Sequence, residues 1–508
     1  WNTAVPAFLA TGPGYGLVVS AGGVFRNSSG AAAGSTLSIS DSVMILNGGR
    51  YVHHTERAHA AIVTVLSRAT GTESGEFVFD VPGSTGYTVS GSGRIYGSLT
   101  LNASAGPKSY LFSGSNAMKV RGGLDIKTGV NASIDFTAEV DIGGLLAVDG
   151  SLDLADRTRM VCRGNISGGG VIKEDGGSFP LITMEGDQMQ EVNFSGRVRD
   201  QVSFSVNNAG GVYLSDSLRL PYKLILRKGR LFTSDMGLLI IDSSCTVESD
   251  SLSLDTFVSG PLYLISGASR SYLLAPVGKG ITQRWMALRN SSGDLKVEFF
   301  KADPRLLSDS LGVGLHHISS IEYWKIVGNG NASIGSAEIS FENVNSGGVT
   351  SLDDLEGALM RGDNVWRRAN KTGSTGSAGA SGSVMVDQII FSDSLWLTLA
   401  SSDSVHNVLP EKNRGYTRKK PQQKGWIRMY PTVLEGDMIS LEINVAKNAR
   451  YELGIYDLKG LRLHKATISA STGLNKIYLP IPRLIQGIYL LSAANKNNET
   501  LIFRFFKK

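Results

Sequence analysis

Between residues 1 and 285, glycine pairs followed by Val or Leu return again and again: Gly22-Gly23-Val24, Gly122-Gly123-Leu124, Gly143-Gly144-Leu145, Gly169-Gly170-Val171 and Gly210-Gly211-Val212. The steps from 122 to 143 and from 143 to 169 are 21 and 26 residues, and the step to 210 is close to two more. Between the pairs, apolar and polar residues alternate with a period of two, as in Leu124-Asp125-Ile126, Ala132-Ser133-Ile134-Asp135-Phe136 and Ser151-Leu152-Asp153-Leu154. That alternation marks half-buried strands. Short strands, tight glycine turns and a repeat of about 20 to 26 residues are what one coil of a parallel β-helix requires, because a coil buries its inner face only by stacking on its neighbours. The register predicts that Leu124, Ile134, Leu145, Leu152 and Leu154 point inward. A meandering antiparallel sandwich supplies similar strands and stands as the alternative.

At 508 residues the chain exceeds one compact core. With 61 Gly, 14 Pro and 8% aromatic residues, it favours strands and turns over long helices. No apolar run is long enough for a transmembrane helix, and no signal peptide precedes Trp1, which reads as a mature or truncated secreted form. A net charge of +5 is too small a surplus to imply nucleic acid as a partner. Two cysteines, Cys162 and Cys245, give no disulfide framework; several coils apart, they are expected as buried free thiols.

After residue 285 the repeat stops. Trp285, Phe299, Phe300, Tyr323, Trp324, Trp366 and Trp396 gather between 286 and 400, enough core for a β-sandwich, with Lys371 to Ser383 read as a long mobile loop inside it. Residues 401–425 then carry Arg414, Arg418, Lys419, Lys420 and Lys424 around Pro421, a basic linker expected to be exposed and open to proteases. From 426 to 508 the alternation returns in Leu441, Ile443 and Val445, and short strands suggest a second small sandwich. The predicted fold class is therefore all-β: an N-terminal parallel β-helix or solenoid over 1–285, followed by two small β-sandwich domains.

Particular residues of this last segment form ordered blocks. Met429-Tyr430-Pro431-Thr432 opens it, Tyr451 to Gly460 holds Tyr456-Asp457-Leu458-Lys459-Gly460, Gly487-Ile488-Tyr489-Leu490-Leu491 follows, and Phe503 to Lys508 ends in Lys507-Lys508. Together they resemble the type A C-terminal sorting domain of type IX secretion, although Thr432-Val433 departs from that family's usual Tyr-Pro-Asn-Pro opening. The resemblance implies Tyr430, Pro431, Tyr456, Gly460, Gly487, Tyr489, Lys507 and Lys508 as the sorting signal, with the two lysines as an exposed positive tip. It also implies the type IX secretion machinery as a partner, and release from the cell or attachment to anionic lipopolysaccharide at its surface. Phe257 to Tyr263, Leu274 to Gly280 and Ile318 to Ile326 resemble parts of the passengers that precede such domains.

Candidate chemistry is sparse. Asp135, Asp141, Asp149, Asp153 and Asp156, with Arg157, Arg159 and Arg163, could line one face as paired acids or calcium ligands, yet Asp beside glycine is also ordinary turn chemistry. His53, His54 and His59 lie near Glu56 without a zinc spacing, and on a strand His53 and His54 face opposite sides. Asp-Ser before Val or Leu, as in Asp309-Ser310-Leu311 and Asp403-Ser404-Val405, resembles an O-glycosylation signal and equally starts a turn. The expectation is a secreted or surface-attached protein, non-enzymatic, adhesin-like or envelope-structural, without a catalytic or metal site or a cofactor, and with surface glycans as possible ligands. The alternative is a carbohydrate-active β-helix enzyme, a polysaccharide lyase or glycoside hydrolase.

Overall fold

The computed structural model describes residues 8–10, 12–29, 37–69, 71–83, 86–155, 157–177, 179–249, 255–267, 270–329, 331–342, 346, 348–389, 391, 393–407, 409, 426–430, 433–434, 438–445, 448–457, 461–481, 484–495 and 500–507. It is nearly all β, with a parallel solenoid of about 10 turns. Contacts divide the chain into two compact units, 1–412 and 413–508.

The alternation read from the sequence becomes three parallel sheets in the solenoid. One holds 11 strands from Val24–Asn27 to Val258–Ser259, a second six from Tyr87–Val89 to Arg197–Val198, and a third eight from Ile95–Tyr96 to Thr246–Ser249. Equivalent side chains stack in columns. Leu99, Leu124, Leu146, Ile166, Val192 and Leu214 are successive neighbours in the first sheet, and all are buried. Met118, Val140, Met160, Ile182, Phe204 and Leu224 form the matching column of the third. Cys162 and Cys245 are buried and free. Burial pushes both thiols up to about 12, so they are inert at neutral pH.

Glycine is required at two corners of the coil rather than one. A Cβ on Gly97, Gly122, Gly144 or Gly164 would run into the backbone or a serine side chain of the preceding coil, and one on Gly150, Gly170 or Gly196 would do the same at another corner. The Gly143-Gly144 and Gly169-Gly170 pairs therefore do not mark the same point of the repeat, which is why their spacing is uneven.

Leu124, Ile134, Leu152 and Leu154 point inward as predicted. Leu145 does not: it is 46% exposed, and Leu146 takes the inward place between Leu124 and Ile166. The turn uses one residue more than the pattern implied, and a slip of one residue exchanges the faces of a strand.

The solenoid has no clean end at 285. Its second face continues in Leu218–Leu220, Leu239–Ile241 and Leu262–Ile265, which are parallel, and this last strand pairs antiparallel with Asp294–Phe300. The same sheet runs on through Tyr323–Gly328, Ser394–Ser401 and Leu355–Met360. An antiparallel sheet from Arg270–Ala275 to Asn370–Gly376 accompanies it, a sandwich-like arrangement. One buried apolar cluster extends from Val19 to Leu409 through both parts. At their joint Arg284 and Glu322, each 1% exposed, form an ion pair at 2.9 Å, and the Trp324 indole donates to the Arg284 carbonyl.

Lys371 to Ser383 is not a loop. It lies in a hairpin of Asn370–Gly376 and Ser381–Asp387. Thr375 and Ser383 hydroxyls meet at 2.6 Å, and Ser383 donates to Glu338, so small polar residues build this edge through hydroxyl contacts. Trp324, Trp366 and Phe299 are core.

A single α-helix occurs among the described residues, Ala60–Leu66, which the strand pattern did not anticipate. It lies between the paired strands Arg50–His53 and Glu76–Phe79 and buries Ile62, Val63 and Leu66. Among the described residues no helix is long and apolar enough to cross a membrane.

In the second unit Trp426–Tyr430, Met438–Val445 and Gly473–Pro480 form one sheet. Val433–Leu434, Thr500–Lys507, Gly487–Asn495, Ala449–Tyr456 and Arg462–Ala470 form the other. Ile427 and Leu441 from the first share a core with Leu453, Leu491 and Phe505 from the second.

Because Leu146 sits in a closed column, Leu146→Asp is expected to bury an unpaired charge and cost several kcal/mol in urea unfolding. Leu145→Asp, one residue away, is expected to stay within about 0.5 kcal/mol of the parent.

Candidate functional site

Two of the clefts on the solenoid carry candidate side chains. The larger, about 660 Å3, is lined by Thr137, Arg157, Arg159, Phe179, Leu181, Ser203, Tyr222, Lys223 and Ile225. Leu181, Ser203 and Lys223 are neighbours on three successive coils of the third sheet. Phe179 and Tyr222 stand just before these strands on the first and third coils, and reach toward each other across the middle one. Their rings stack at 5.4 Å between centroids and 28° between planes. Phe179 remains 58% exposed.

The flank of this groove is cationic. Arg159 projects from the same outward row, next to Leu181, and Arg157 sits at the turn just before it with a φ of 63°. Lys223 pairs with Glu248 at 2.5 Å. The lining residues include no carboxylate and no imidazole.

The second cleft, about 640 Å3, is lined by Glu56, His59, Tyr87, Ser90, Ser92 and Arg94, among others. Here the structure joins two of the three histidines singled out in the sequence. The Ser90 amide donates to His59 Nε2 at 2.9 Å, so Nδ1 carries the proton and donates to the Tyr87 hydroxyl at 2.7 Å. Tyr87 in turn donates to the Arg57 carbonyl at 2.7 Å, and His53 Nε2 lies 2.9 Å from the same hydroxyl and 3.0 Å from the same carbonyl. Burial lowers the His53 imidazole to about 4 and the His59 imidazole to about 3. His59 therefore has no free nitrogen to offer a substrate, and the phenol proton is committed to a backbone oxygen. The cluster locks the segment around the helix and holds no metal-ligand set. His54 faces away and pairs with Asp80 at 3.1 Å.

The acidic stretch is dispersed. Asp141 pairs with Arg163 at 2.8 Å and Lys119 at 3.5 Å, Asp153 with Lys173 at 3.0 Å on another sheet, and Asp149 lies at a corner near the Gly169 amide. Asp156 is outside the described residues. No catalytic face of paired acids results from Asp135, Asp141, Asp149 and Asp153. The one group with metal-ligand geometry among the described residues is Asp354, Asp403 and His406. His406 Nδ1 lies 3.1 Å from Asp354 and 2.6 Å from Asp403, a geometry that an Nδ1–H donor between two carboxylates satisfies without an ion.

In the second unit, Pro431, Gly460 and Lys508 lie outside the described residues, and Tyr430 ends the strand Trp426–Tyr430. Tyr456 closes the strand Ala449–Tyr456, and Gly487 opens Gly487–Asn495. The Tyr489 hydroxyl donates to the Ile485 carbonyl at 2.9 Å, and its ring stacks on Phe505 at 5.7 Å. Lys507 is only 7% exposed and pairs beside Leu434, so it contributes no exposed positive tip.

Sequence reasoning missed the first groove because Phe179 and Tyr222 are 43 positions apart and become neighbours only through coil register. A sign was present in two aromatics standing next to Pro180 and Pro221, each just ahead of a strand.

No family model matches the chain, and no curated protein matches it. Solved structures do, at low similarity. A polysaccharide lyase shares 9% identity over 47% of this chain and 32% of its own, with a TM-score of 0.15. A β-glucuronidase from glycoside hydrolase family 2 shares 11% over 34% and 24%, TM-score 0.14. A presumed β-galactosidase from Bacteroides fragilis shares 13% over 44% and 40%, TM-score 0.14. The chain thus spans less than half the length of each, and likeness at this level carries no argument about function.

The histidine cluster generates a pH prediction. Unfolded imidazoles titrate near 6.5 while these two titrate near 4 and 3, so their neutral burial is harmless above about pH 6.5 and destabilises progressively as the pH falls toward 4. Thermal unfolding followed by circular dichroism is expected to lose up to about 1.4 kcal/mol per pH unit for each histidine in that window. His59→Gln is expected to reduce the slope by about half.

Proposed function

We propose that this protein is a non-enzymatic, adhesin-like protein of the cell exterior. It grips glycan chains in the groove on the flank of its solenoid and is exported by type IX secretion through its C-terminal sandwich. One observation carries the binding half of this reading: the Phe179–Tyr222 stack in the groove, with Phe179 largely exposed to solvent. Flat aromatic faces pack on the apolar faces of sugar rings while nearby polar groups fix orientation. A groove of about 660 Å3 is within the range of small-ligand sites and has room for a short stretch of a sugar chain. The export half rests on the resemblance of 426–508 and is supported by that segment having a core of its own.

The competing reading is a polysaccharide lyase working in the same groove. It draws on Tyr222 next to Lys223, with Arg159 nearby, a set that could abstract a proton beside a neutralised carboxylate. Incubation of purified protein with acidic polysaccharides separates the two: new unsaturated ends would favour the lyase, intact chains the binder.

On a glycan array, Phe179→Ala is expected to reduce binding at least tenfold without lowering thermal stability, since one exposed ring is removed from outside the core. Loss of 426–508 is expected to leave a folded passenger that accumulates in the periplasm of a secretion-competent host. Normal release of that truncated protein would overturn the export half.

A further inference from the structure

Resting on the reading of this groove as a glycan site, we propose that the chain it selects is built of N-acetylamino sugars rather than of sugars bearing hydroxyls alone. The aromatic pair does not make that choice, because every pyranose offers an apolar face. One row of the third sheet makes it.

Arg159, Leu181, Ser203 and Lys223 are ladder neighbours on four successive coils, and all four line the groove. Neighbouring strands lie about 4.8 Å apart, so the row sets a guanidinium, an aliphatic side chain and a hydroxyl next to one another in that order. Arg159 is exposed and forms no ion pair among the described residues, Glu139 beside it included. Lys223, at the other end of the row, is held by Glu248. Ile225, two positions further along that strand, shares its outward face and adds a second aliphatic side chain to the lining.

An acetamido group matches that order. Its amide is trans, so its C=O and N–H point in opposite directions, and the methyl sits on the carbonyl carbon. With the carbonyl turned to Arg159 and the N–H to the Ser203 hydroxyl, the methyl comes to rest on Leu181. A guanidinium only donates hydrogen bonds, and a carbonyl oxygen only accepts them. A sugar hydroxyl in the same place would also accept from Arg159, but its own proton would then need an acceptor. The lining has no side-chain carboxylate or amide to supply one, leaving the Thr137, Ser203 and Tyr222 hydroxyls to serve every O–H of the sugar. A hydroxyl would also set a polar group against Leu181, where the acetamido group sets a methyl.

The test is calorimetry on the full chain with three probes. Two are hexamers of N-acetylglucosamine and of glucose in the same linkage, which differ only in the acetamido group, and the third is polygalacturonate. Wild type is expected to bind the acetylated hexamer about tenfold more tightly than the glucose hexamer. Added sodium chloride is expected to leave that affinity unchanged, because the ligand carries no charge. Arg159→Ala and Leu181→Thr are each expected to cut the ratio of the two affinities about fivefold, with circular dichroism spectra like the parent's. Phe179→Ala is expected to weaken both hexamers alike.

Equal affinity for the two hexamers, lost on Phe179→Ala, would overturn the acetamido preference and leave the glycan-binding reading intact. Binding of polygalacturonate alone, in a salt-sensitive manner, would do the same. A preference for the acetylated hexamer that persists in both Arg159→Ala and Leu181→Thr would place the acetyl contact elsewhere and overturn its assignment to this row. No binding to these probes or on the glycan array would overturn both readings.

Discussion

The coil-to-coil backbone ladder governs everything else in the larger unit. Parallel strands in adjacent coils lie about 4.8 Å apart, and that spacing leaves no room for a Cβ where two corners pass over each other. The glycines at 97, 122, 144 and 164, and at 150, 170 and 196, follow from this closeness. The same spacing brings equivalent side chains into columns, so that an apolar position in one coil is supported by its counterparts above and below. At the joint with the sandwich the ladder continues from Leu262–Ile265 into Asp294–Phe300. The buried Arg284–Glu322 pair fixes the chain there, and loss of either partner would strand a charge, typically at about 3 to 5 kcal/mol.

The groove is a local variation on that regularity. Outward-facing positions owe nothing to the core, so a coil can carry an aromatic at its turn without disturbing its neighbours. Phe179 and Tyr222 use this freedom on alternate coils, and their rings meet across the coil between. The cleft near the helix is the opposite case. His53, His59 and Tyr87 are spent on one another and on the backbone, so a cleft that holds more of the usual catalytic residue types has less chemistry available.

Strand content and the solenoid were legible in the sequence because a period of two and a recurrent turn are local signals. The inward direction of Leu124, Ile134, Leu152 and Leu154 could be read for the same reason. The misplacement of Leu145 shows where this stops: a pattern gives the period, while the phase depends on how many residues the turn consumes. The hairpin at 370–387 was hidden because Gly, Ser and Ala dominate its first strand and turn and have weak strand preference, and its pairing with Ser336–Glu342 decides the outcome. The helix Ala60–Leu66 was hidden by its length, seven residues with β-branched Ile62, Val63 and Thr64, which helix propensity alone would not select. The groove depends on three coils at once, and no window of sequence contains it.

Solenoid and sandwich share a sheet, and this has a mechanical consequence. A protein held at one end and gripped through its flank is under tension, and tension concentrates at the softest element between the two points. Within residues 1–412 the passage from parallel coils to antiparallel strands is itself a hydrogen-bonded ladder over one continuous apolar core. A pull applied at the flank of the coils would reach the Ser394–Ser401 strand through paired strands, and would have to rupture those pairs to separate the two parts.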